Sequence, residues 1–296
     1  MKTYILYNPF AGVGNGRYEC EKLLADIEGE AVMQDITEIT SYADFFGALE
    51  ADDKVVLCGG DGTLNRFVNE AAEVTIKNEL LYYAVGTGND FLKDVNKNVG
   101  DAPFPVSEYL KDLPTVEVNG KCSRFLNGVG FGVDGYCCEM GDKMKREKPG
   151  KPVNYTSIAI KGLLFHYKPA NAIVTVDGES FSYKKVWIAA AMKGRYYGGG
   201  IMPSPEQDRL AEDGKVTLVV LYGSGKLKTL VVFPSMFKGE HVKHTEMVAI
   251  HRGKEISVTF DRPCALQIDG ETVLNVTNYK VSAGKPATLE AVEATV

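Results

Sequence analysis

One pattern recurs in the first third of the chain: an apolar run, a glycine-rich turn, and then the periodicity of a helix. The turns read NPFAGVGNG at residues 8–16, GGDGTLN at residues 59–65 and GTGND at residues 86–90. Strands that alternate with helices form a parallel sheet, and the carboxyl ends of its strands meet at one edge. The sequence therefore predicts a doubly wound, Rossmann-like α/β domain with its functional site at that edge.

The pattern changes after about residue 115. Short β-like runs follow one another, separated by turns that favour hairpins: Asn119-Gly120, Asp177-Gly178, Asp213-Gly214 and Asp269-Gly270. One helix is expected at residues 153–167. The length of 296 residues fits two domains. We place them at 1–115, the α/β domain, and 116–296, a mainly antiparallel β-sandwich whose last strand could return toward the first domain.

Composition and charge exclude several classes of protein. Hydrophobic residues make up 45% and charged residues 24% of the chain, which excludes a disordered or fibrous protein. A formal charge of −6 argues against a surface built for nucleic acid. The longest apolar runs fall well short of a spanning helix, no signal peptide is visible, and the six cysteines contain no C-x-x-C pair. We expect reduced thiols and a cytoplasmic location.

Each glycine turn could hold a phosphate. Glycine lets backbone N–H groups approach an anion, and the helix that follows directs its positive end at the charge. A single such turn is most simply a tight connection, but three at successive strand ends favour a nucleotide site. The P-loop and G-x-G-x-x-G patterns are both lacking, which disfavours a P-loop protein and a dinucleotide oxidoreductase. Asp61 and Asp90 follow two of the turns, where they either organise Mg²⁺ beside phosphates or cap helices.

Together these motifs resemble the catalytic domain of the diacylglycerol kinase family, which includes sphingosine and ceramide kinases. The residues that carry the resemblance are Asn8-Pro9 with Gly12, the run at 59–65 and GTGNDF at 86–91. The second half is similar to the soluble bacterial lipid kinases in GRYYGGG at 194–200, Pro203, LAEDGKV at 210–216 and Asp269-Gly270-Glu271. GGDGT alone is less specific, because NAD kinases and phosphofructokinases have similar segments. The resemblance implies a fold of the phosphofructokinase and NAD kinase type.

The resemblance also implies roles for individual residues. Glu271 would be the catalytic base. On chemical grounds rather than from the resemblance, Asp61 and Asp90 are our candidates for organising the Mg²⁺ that phosphoryl transfer needs. A structural Mg²⁺ would be held by the Asp213 side chain and the carbonyls of Leu210 and Lys215. The residues expected to bind ATP are Asn8, Pro9, Phe10, Ala11, Gly12, Thr40, Gly59, Gly60, Asp61, Gly62, Thr63, Leu64, Asn65 and Thr87.

Other features of the sequence leave choices open. A second Asp-Gly-Glu occurs at residues 177–179, and only the order of family motifs selects the later one. Arg66-Phe67 and Leu92-Lys93 stand where the family usually has Glu-Val and Ala-Arg. The exchange of Glu for Arg66 inverts a charge, which could alter metal or lipid handling or could simply face solvent.

The resemblance implies an ATP- and Mg²⁺-dependent lipid kinase, a phosphotransferase of lipid metabolism that acts on an alcohol. Diacylglycerol, converted to phosphatidate for phospholipid biosynthesis, is the first choice of substrate. An NAD kinase is the nearest alternative, and a nucleotide- or lipid-binding protein with impaired catalysis is the other.

The expected partners are ATP and a lipid substrate at an anionic membrane surface, reached by peripheral association, with no nucleic acid. KMKREKPGK at residues 143–151 is either a solvated loop or a contact with such a membrane. A homodimer is left open.

Overall fold

The computed structural model describes residues 1–14, 16–85, 89–148, 151 and 153–284. Thr87, expected to contact ATP, lies outside the described residues, together with Gly86 and Gly88. Within the described part of the chain, no helix is both long enough and apolar enough to cross a membrane.

The first half of the chain forms an α/β sheet, as predicted. Its strands lie in the order β2-β1-β3-β4-β5, with β1 to β4 parallel and β5 antiparallel. The order reverses after β1, which is the hallmark of a doubly wound sheet. The strands are β1 (Lys2–Tyr7), β2 (Glu30–Asp35), β3 (Lys54–Gly59), β4 (Glu79–Ala84) and β5 (Phe104–Pro105).

Helices cover both faces of this sheet, because successive side chains of a strand point to opposite sides. Ile5 packs in one cluster with Leu23 of α2, whereas Leu6 packs in another with Phe67 of α4. The helices are α1 (Ala11–Gly14), α2 (Gly16–Asp26), α3 (Tyr42–Gly47), α4 (Asp61–Glu70), α5 (Asp90–Asp94) and α6 (Ser107–Leu110), with a 3₁₀ turn at Ile36–Glu38.

The second half forms an antiparallel sheet, also as predicted. Its main path runs β13-β12-β11-β8-β14-β15-β6-β7, and β9 and β10 join through β14. One buried cluster takes side chains from most of these strands, including Phe131, Val174, Leu218 and Tyr279. The strands are β6 (Thr115–Val118), β7 (Lys121–Arg124), β8 (Gly128–Gly132), β9 (Ala170–Val176), β10 (Glu179–Val186), β11 (Ile188–Met192), β12 (Val216–Leu221), β13 (Val248–Gly253), β14 (Glu255–Ile268) and β15 (Glu271–Ser282).

A few helices lie on the second sheet. The segment expected as one helix at 153–167 is instead α8 followed by a π-helical turn at Gly162–His166. The ring of Tyr136 occupies the space that a side chain at Gly162 would need, so this turn packs tightly on α7. The α-helices are α7 (Val133–Glu147), α8 (Tyr155–Lys161) and α9 (Lys226–Val232), with 3₁₀ turns at Phe233–Lys238 and Glu240–Lys243.

The chain passes from the first sheet to the second between Pro105, where β5 ends, and Thr115, where β6 begins. The last described strand, β15, pairs with β6, so Val281 lies opposite Val116. The domain division at residue 115 stays a prediction.

Candidate active site

The first two glycine turns are joined at the carboxyl ends of β1 and β3. The side-chain amide of Asn8 donates to the hydroxyl of Thr63 at 2.9 Å, and its oxygen accepts from the backbone N–H of Phe10 at 2.9 Å. A Cβ at position 16 would overlap the carbonyl oxygen of Asn8, so only glycine allows α2 to begin so close to the strand end. Phe10 is 79% exposed. The expected nucleotide segment at residues 8–12 therefore has an open outer side.

The second turn opens α4. The carbonyl of Gly60 accepts from the backbone N–H groups of Thr63 and Leu64. Both of those side chains are buried, so Thr63 and Leu64 present only their backbone to a nucleotide. Among the described residues, nothing lies within 4 Å of the place where a Cβ at Gly62 would stand, so that part of the chain leaves the approach to the turn open. Thr40 lies in an exposed bend between β2 and α3.

Asp61 begins α4, and its carboxylate faces inward. Oδ2 accepts from the backbone N–H groups of Asp90 at 2.8 Å and Phe91 at 3.2 Å, and from the side-chain amide of Asn127 at 2.9 Å. Oδ1 is buried and has no hydrogen-bond partner among the described residues. Burial, with the nearby charges of Asp90 and Asp269, raises the pKa of Asp61 to about 7.

Asp90 begins α5 and binds the glycine loop of the second half. Its two oxygens accept from the backbone N–H groups of Gly199 at 2.8 Å and Gly200 at 2.6 Å. Those glycines have φ values of 83° and 104°, a conformation that few other residues adopt. Burial raises the pKa of Asp90, although the two N–H groups oppose the shift.

Asp269 accepts more hydrogen bonds than Asp61 or Asp90 does among the described residues. Its carboxylate accepts from the backbone N–H groups of Leu126, Asn127 and Gly128, at 2.5–2.9 Å, and from the side-chain amide of Asn65 at 2.7 Å. Burial raises the pKa of Asp269, while these four donors oppose the shift. Asp269 therefore fixes the late Asp-Gly-Glu against the GGDGTLN turn.

A buried ion pair completes the connection between the two halves. Arg209 donates to Asp94 at 2.9 Å, to the carbonyl of Leu126 at 2.6 Å and to the side-chain oxygen of Asn127 at 2.8 Å. The side chains of Arg209 and Asp94 are 4% and 3% exposed. Asp94 also accepts from Arg195 at 2.8 Å. The pair positions Asn127, which in turn donates to Asp61.

Glu271 lies two residues beyond Asp269, at the start of β15, and is exposed. The next residue, Thr272, donates to the carboxylate of Asp142 in α7 at 2.7 Å, so this strand end lies against α7. The matching tripeptide at 177–179 lies in an exposed hairpin, where Asp177 accepts from the backbone N–H groups of Lys254 and Glu255. Of the two tripeptides, only the later one is tied to the glycine turns by hydrogen bonds among the described residues.

The residues expected to hold a structural Mg²⁺ make contacts with other protein groups. The carboxylate of Asp213 is 3.2 Å from the guanidinium of Arg252, and it accepts from the backbone N–H of Lys215. The Lys215 carbonyl accepts from Gln207, and Leu210 is 41% exposed. A guanidinium at the one side chain expected to bind the ion does not fit a bound Mg²⁺.

A Mg²⁺ that accompanies a bound nucleotide fits better at Asp61. No cluster of three or more His, Cys, Asp or Glu suited to a metal occurs in the described ranges. Mg²⁺ commonly needs only one or two carboxylates, since phosphates and water complete its shell. The unpartnered Oδ1 of Asp61, beside Asp90 and Asp269, suits that role.

The two departures from the family pattern lie in different surroundings. Arg66 pairs with Glu70 at 2.7 Å on the outer side of α4, and both side chains are well exposed. It therefore faces solvent, which was one of the two alternatives. Lys93 lies over the ring of Tyr196, 4.3 Å from its centroid, and its charge lowers the pKa of Asp90.

Several residues of the site were missed by sequence reasoning. Asn127, Asp94 and Arg209 carry no local motif, and their contacts join segments about a hundred residues apart. Asp134 of α7 is also buried, accepts from the hydroxyl of Tyr197 at 2.9 Å and has its pKa raised by burial to about 6.

The chain matches two family descriptions. Residues 2–115 match "Diacylglycerol kinase catalytic domain", and residues 127–291 match "YegS C-terminal NAD kinase beta sandwich-like domain". The second match alone covers more than half of the chain.

Relatives named diacylglycerol kinase align over most of their own length. The chain is 24% identical over 271 residues to that of Mycobacterium tuberculosis strain H37Rv, covering 87% of this chain and 84% of the relative. It is 24% identical over 290 residues to that of Bacillus subtilis strain 168, covering 91% and 89%.

A solved diacylglycerol kinase structure from Bacillus anthracis strain Sterne has the same fold, with a TM-score of 0.60 and 18% identity over 96% of this chain and 94% of that chain. Together with the two matched regions, these similarities identify the chain as a member of the diacylglycerol kinase family of lipid kinases, in its bacterial branch.

Proposed function

We propose that this protein transfers the γ-phosphate of ATP to the hydroxyl of diacylglycerol and so forms phosphatidate. The observation that carries the proposal is the hydrogen bond of 2.7 Å between Asn65 and Asp269. It ties the GGDGTLN turn to the strand end that carries Glu271, which supports the proposal that a phosphate-binding turn and a carboxylate act at one site. A phosphoryl donor and an alcohol acceptor need that combination.

ATP is held by the backbone of the glycine turns. The open approach at Gly62, the exposed side of residues 8–12 and the exposed Thr40 support this placement. The side chains of Thr63 and Leu64 pack in the core beneath the turn and do not contact the nucleotide. Mg²⁺ bound at Asp61 Oδ1 would neutralise charge on the transferred phosphoryl group.

Glu271 is the general base. A lipid hydroxyl is a poor nucleophile at neutral pH, so a carboxylate must accept its proton as the oxygen attacks phosphorus. Glu271 is exposed and able to meet a substrate. Asp269 is unsuited to the role, because four donors already surround its oxygens. It acts as a positioning residue that fixes the start of β15.

Asp90 and the pair Asp94–Arg209 hold the second half against the first. Asp90 binds the glycine loop, and Arg209 orients Asn127 toward Asp61. Positioning of this kind supplies most of the catalysis in phosphoryl transfer, since little covalent chemistry falls to the protein.

The substrate is tested by offering the purified protein labelled ATP and Mg²⁺ with diacylglycerol, monoacylglycerol, sphingosine, undecaprenol and NAD in separate reactions. We expect label in phosphatidate. Label in NAD alone would contradict the proposal in favour of an NAD kinase. No label in any product, with ATP still bound, would favour the protein with impaired catalysis.

A further inference from the structure

Three apolar side chains protrude from one side of the second half. Leu227 and Val231 lie in α9 and are 75% and 78% exposed, and Phe165 lies in the π-helical turn and is 71% exposed. Leu227 and Val231 are four residues apart in a helix, so they share a face. We call these three residues the apolar ridge.

The two segments that carry the ridge are packed together. The ammonium of Lys226 donates to the carbonyl of Leu164 at 3.0 Å. Leu163 and Val232, on the inner sides of the same segments, share one buried cluster. The ridge is therefore the outer side of a folded unit whose inner side is core. Contiguous exposed apolar side chains on a folded protein indicate a contact surface.

The two chain segments that carry the ridge contain basic residues and no acidic ones. Residues 153–176 and 215–239 contain no aspartate or glutamate, although the whole chain has a formal charge of −6. Around the ridge these segments carry Lys161, His166, Lys168, Lys226 and Lys228. Of these, Lys228 pairs with Glu246 at 2.8 Å.

A pocket of about 450 Å³ lies beside the π-helical turn. Its lining includes His166, Lys168 and Arg262, together with a single acidic residue, Glu139. Two side chains that are cationic at neutral pH, Lys168 and Arg262, against one carboxylate favour an anionic occupant of headgroup size over a cationic one.

We propose that the apolar ridge inserts into the surface of an anionic lipid bilayer, with the surrounding lysines at the level of the headgroups. Apolar tips flanked by lysines suit this interface, because lysine stems lie along the acyl chains while the ammonium groups stay in water. The acid-free segments match a negatively charged surface. The surface differs from the run at 143–151. This inference rests on the proposed function in one respect: membrane binding would bring the kinase site to its lipid substrate.

The test measures binding to vesicles of phosphatidylcholine with and without phosphatidylglycerol, in the absence of ATP and diacylglycerol. Changing Phe165, Leu227 and Val231 together to Ser should weaken binding to the anionic vesicles at least about tenfold. Changing Lys161, Lys168 and Lys226 to Gln should weaken it about fivefold per lysine, with no effect on neutral vesicles.

The matched control changes three exposed apolar residues elsewhere, Val99, Ile173 and Ile250, to Ser. It should bind as the unchanged protein does, and thermal unfolding should show that all variants fold. Unchanged binding by the ridge variant, or an equal loss in the control, would overturn the proposal. So would binding that depends only on Lys143, Lys145 and Lys148, or a dimer in solution that the ridge variant splits.

Kinase activity toward a short-chain diacylglycerol dispersed without vesicles separates this proposal from the proposed function. The ridge variant should keep the full rate there. If the unchanged protein phosphorylates no lipid but the ridge still governs vesicle binding, the proposed function fails and the docking surface stands.

Discussion

The side-chain amide of Asn65 lies 2.7 Å from the carboxylate of Asp269, although 204 residues separate them in the chain. Asn65 ends the second glycine turn, and Asp269 begins the Asp-Gly-Glu tripeptide. One hydrogen bond therefore joins the expected nucleotide site to the tripeptide that contains the expected catalytic base, Glu271.

Breaking that bond should destabilise the protein. Asn65→Ala removes one of the donors to a buried carboxylate, which should cost about 1–3 kcal/mol in the free energy of unfolding measured with urea. Asn65→Asp should cost more at pH 7, because it sets two carboxylates side by side, and the excess should shrink as the pH falls and one of them is protonated. Equal losses for both variants at all pH values would contradict this account of the contact.

Asp61 should make stability and ligand binding depend on pH. Its pKa is raised to about 7 in the folded protein, against about 3.9 when unfolded, so the folded state binds the extra proton between these values. Its stabilising contribution is fully present below about pH 4 and is lost as the pH rises through 7. Asp61→Asn should remove this dependence and unfold at higher urea than the unchanged protein at pH 8. If both lose stability alike between pH 4 and pH 8, the prediction is wrong.

The same carboxyl should release a proton when it binds Mg²⁺ with ATP, because a metal ligand must be ionised. Calorimetry at pH 7 in buffers of different ionisation enthalpy measures the protons released. The Asp61→Asn variant should release fewer protons than the unchanged protein when it binds Mg²⁺ with ATP. An identical release from both proteins would place the metal elsewhere.

Removing only one partner of the buried pair Asp94–Arg209 should lower the free energy of unfolding strongly. Asp94→Ala leaves a buried guanidinium without its partner, which should lower the free energy of unfolding by about 3–5 kcal/mol. Asp94→Leu combined with Arg209→Met removes both charges and should cost less than the single change. A double variant that is as unstable as the sum of its single changes would show that the two residues act independently.

Asp213 offers a test of the structural metal that the family resemblance implies. Because Arg252 already contacts its carboxylate, removal of divalent cations with a chelator should leave the melting temperature unchanged. In Arg252→Ala, added Mg²⁺ should raise it. A lower melting temperature for the chelated unchanged protein, absent in Asp213→Asn, would instead support a resident ion.

The sequence predicted the α/β half and its hairpins because those features are local. Glycine after each apolar run marked the strand ends, and Asn119, Asp177 and Asp269 do adopt positive φ values at the predicted turns. The strand β2 ends at Asp35, where the Asp35 side chain accepts from Thr37 and starts a 3₁₀ turn. Such a local hydrogen bond competes with the strand and is hard to foresee from apolar pattern.

The site was only partly predictable, for a different reason. Motifs indicated Asp61, Asp90 and Glu271, but not what holds them. Asn127 and Arg209 are 82 positions apart in the chain, and only the folded second half brings them within 3 Å of each other. A buried arginine and an exposed one look the same in sequence until its partners are known.

The central claim is tested most directly by the two matched tripeptides, with diacylglycerol and labelled ATP as substrates. Glu271→Gln should lower the rate of phosphatidate formation by about 10²–10⁴-fold while leaving ATP binding unchanged. Glu179→Gln, in the exposed hairpin, should keep the full rate. Phosphatidate formed at the same rate by Glu271→Gln, or none formed even by the unchanged protein, would contradict the assignment.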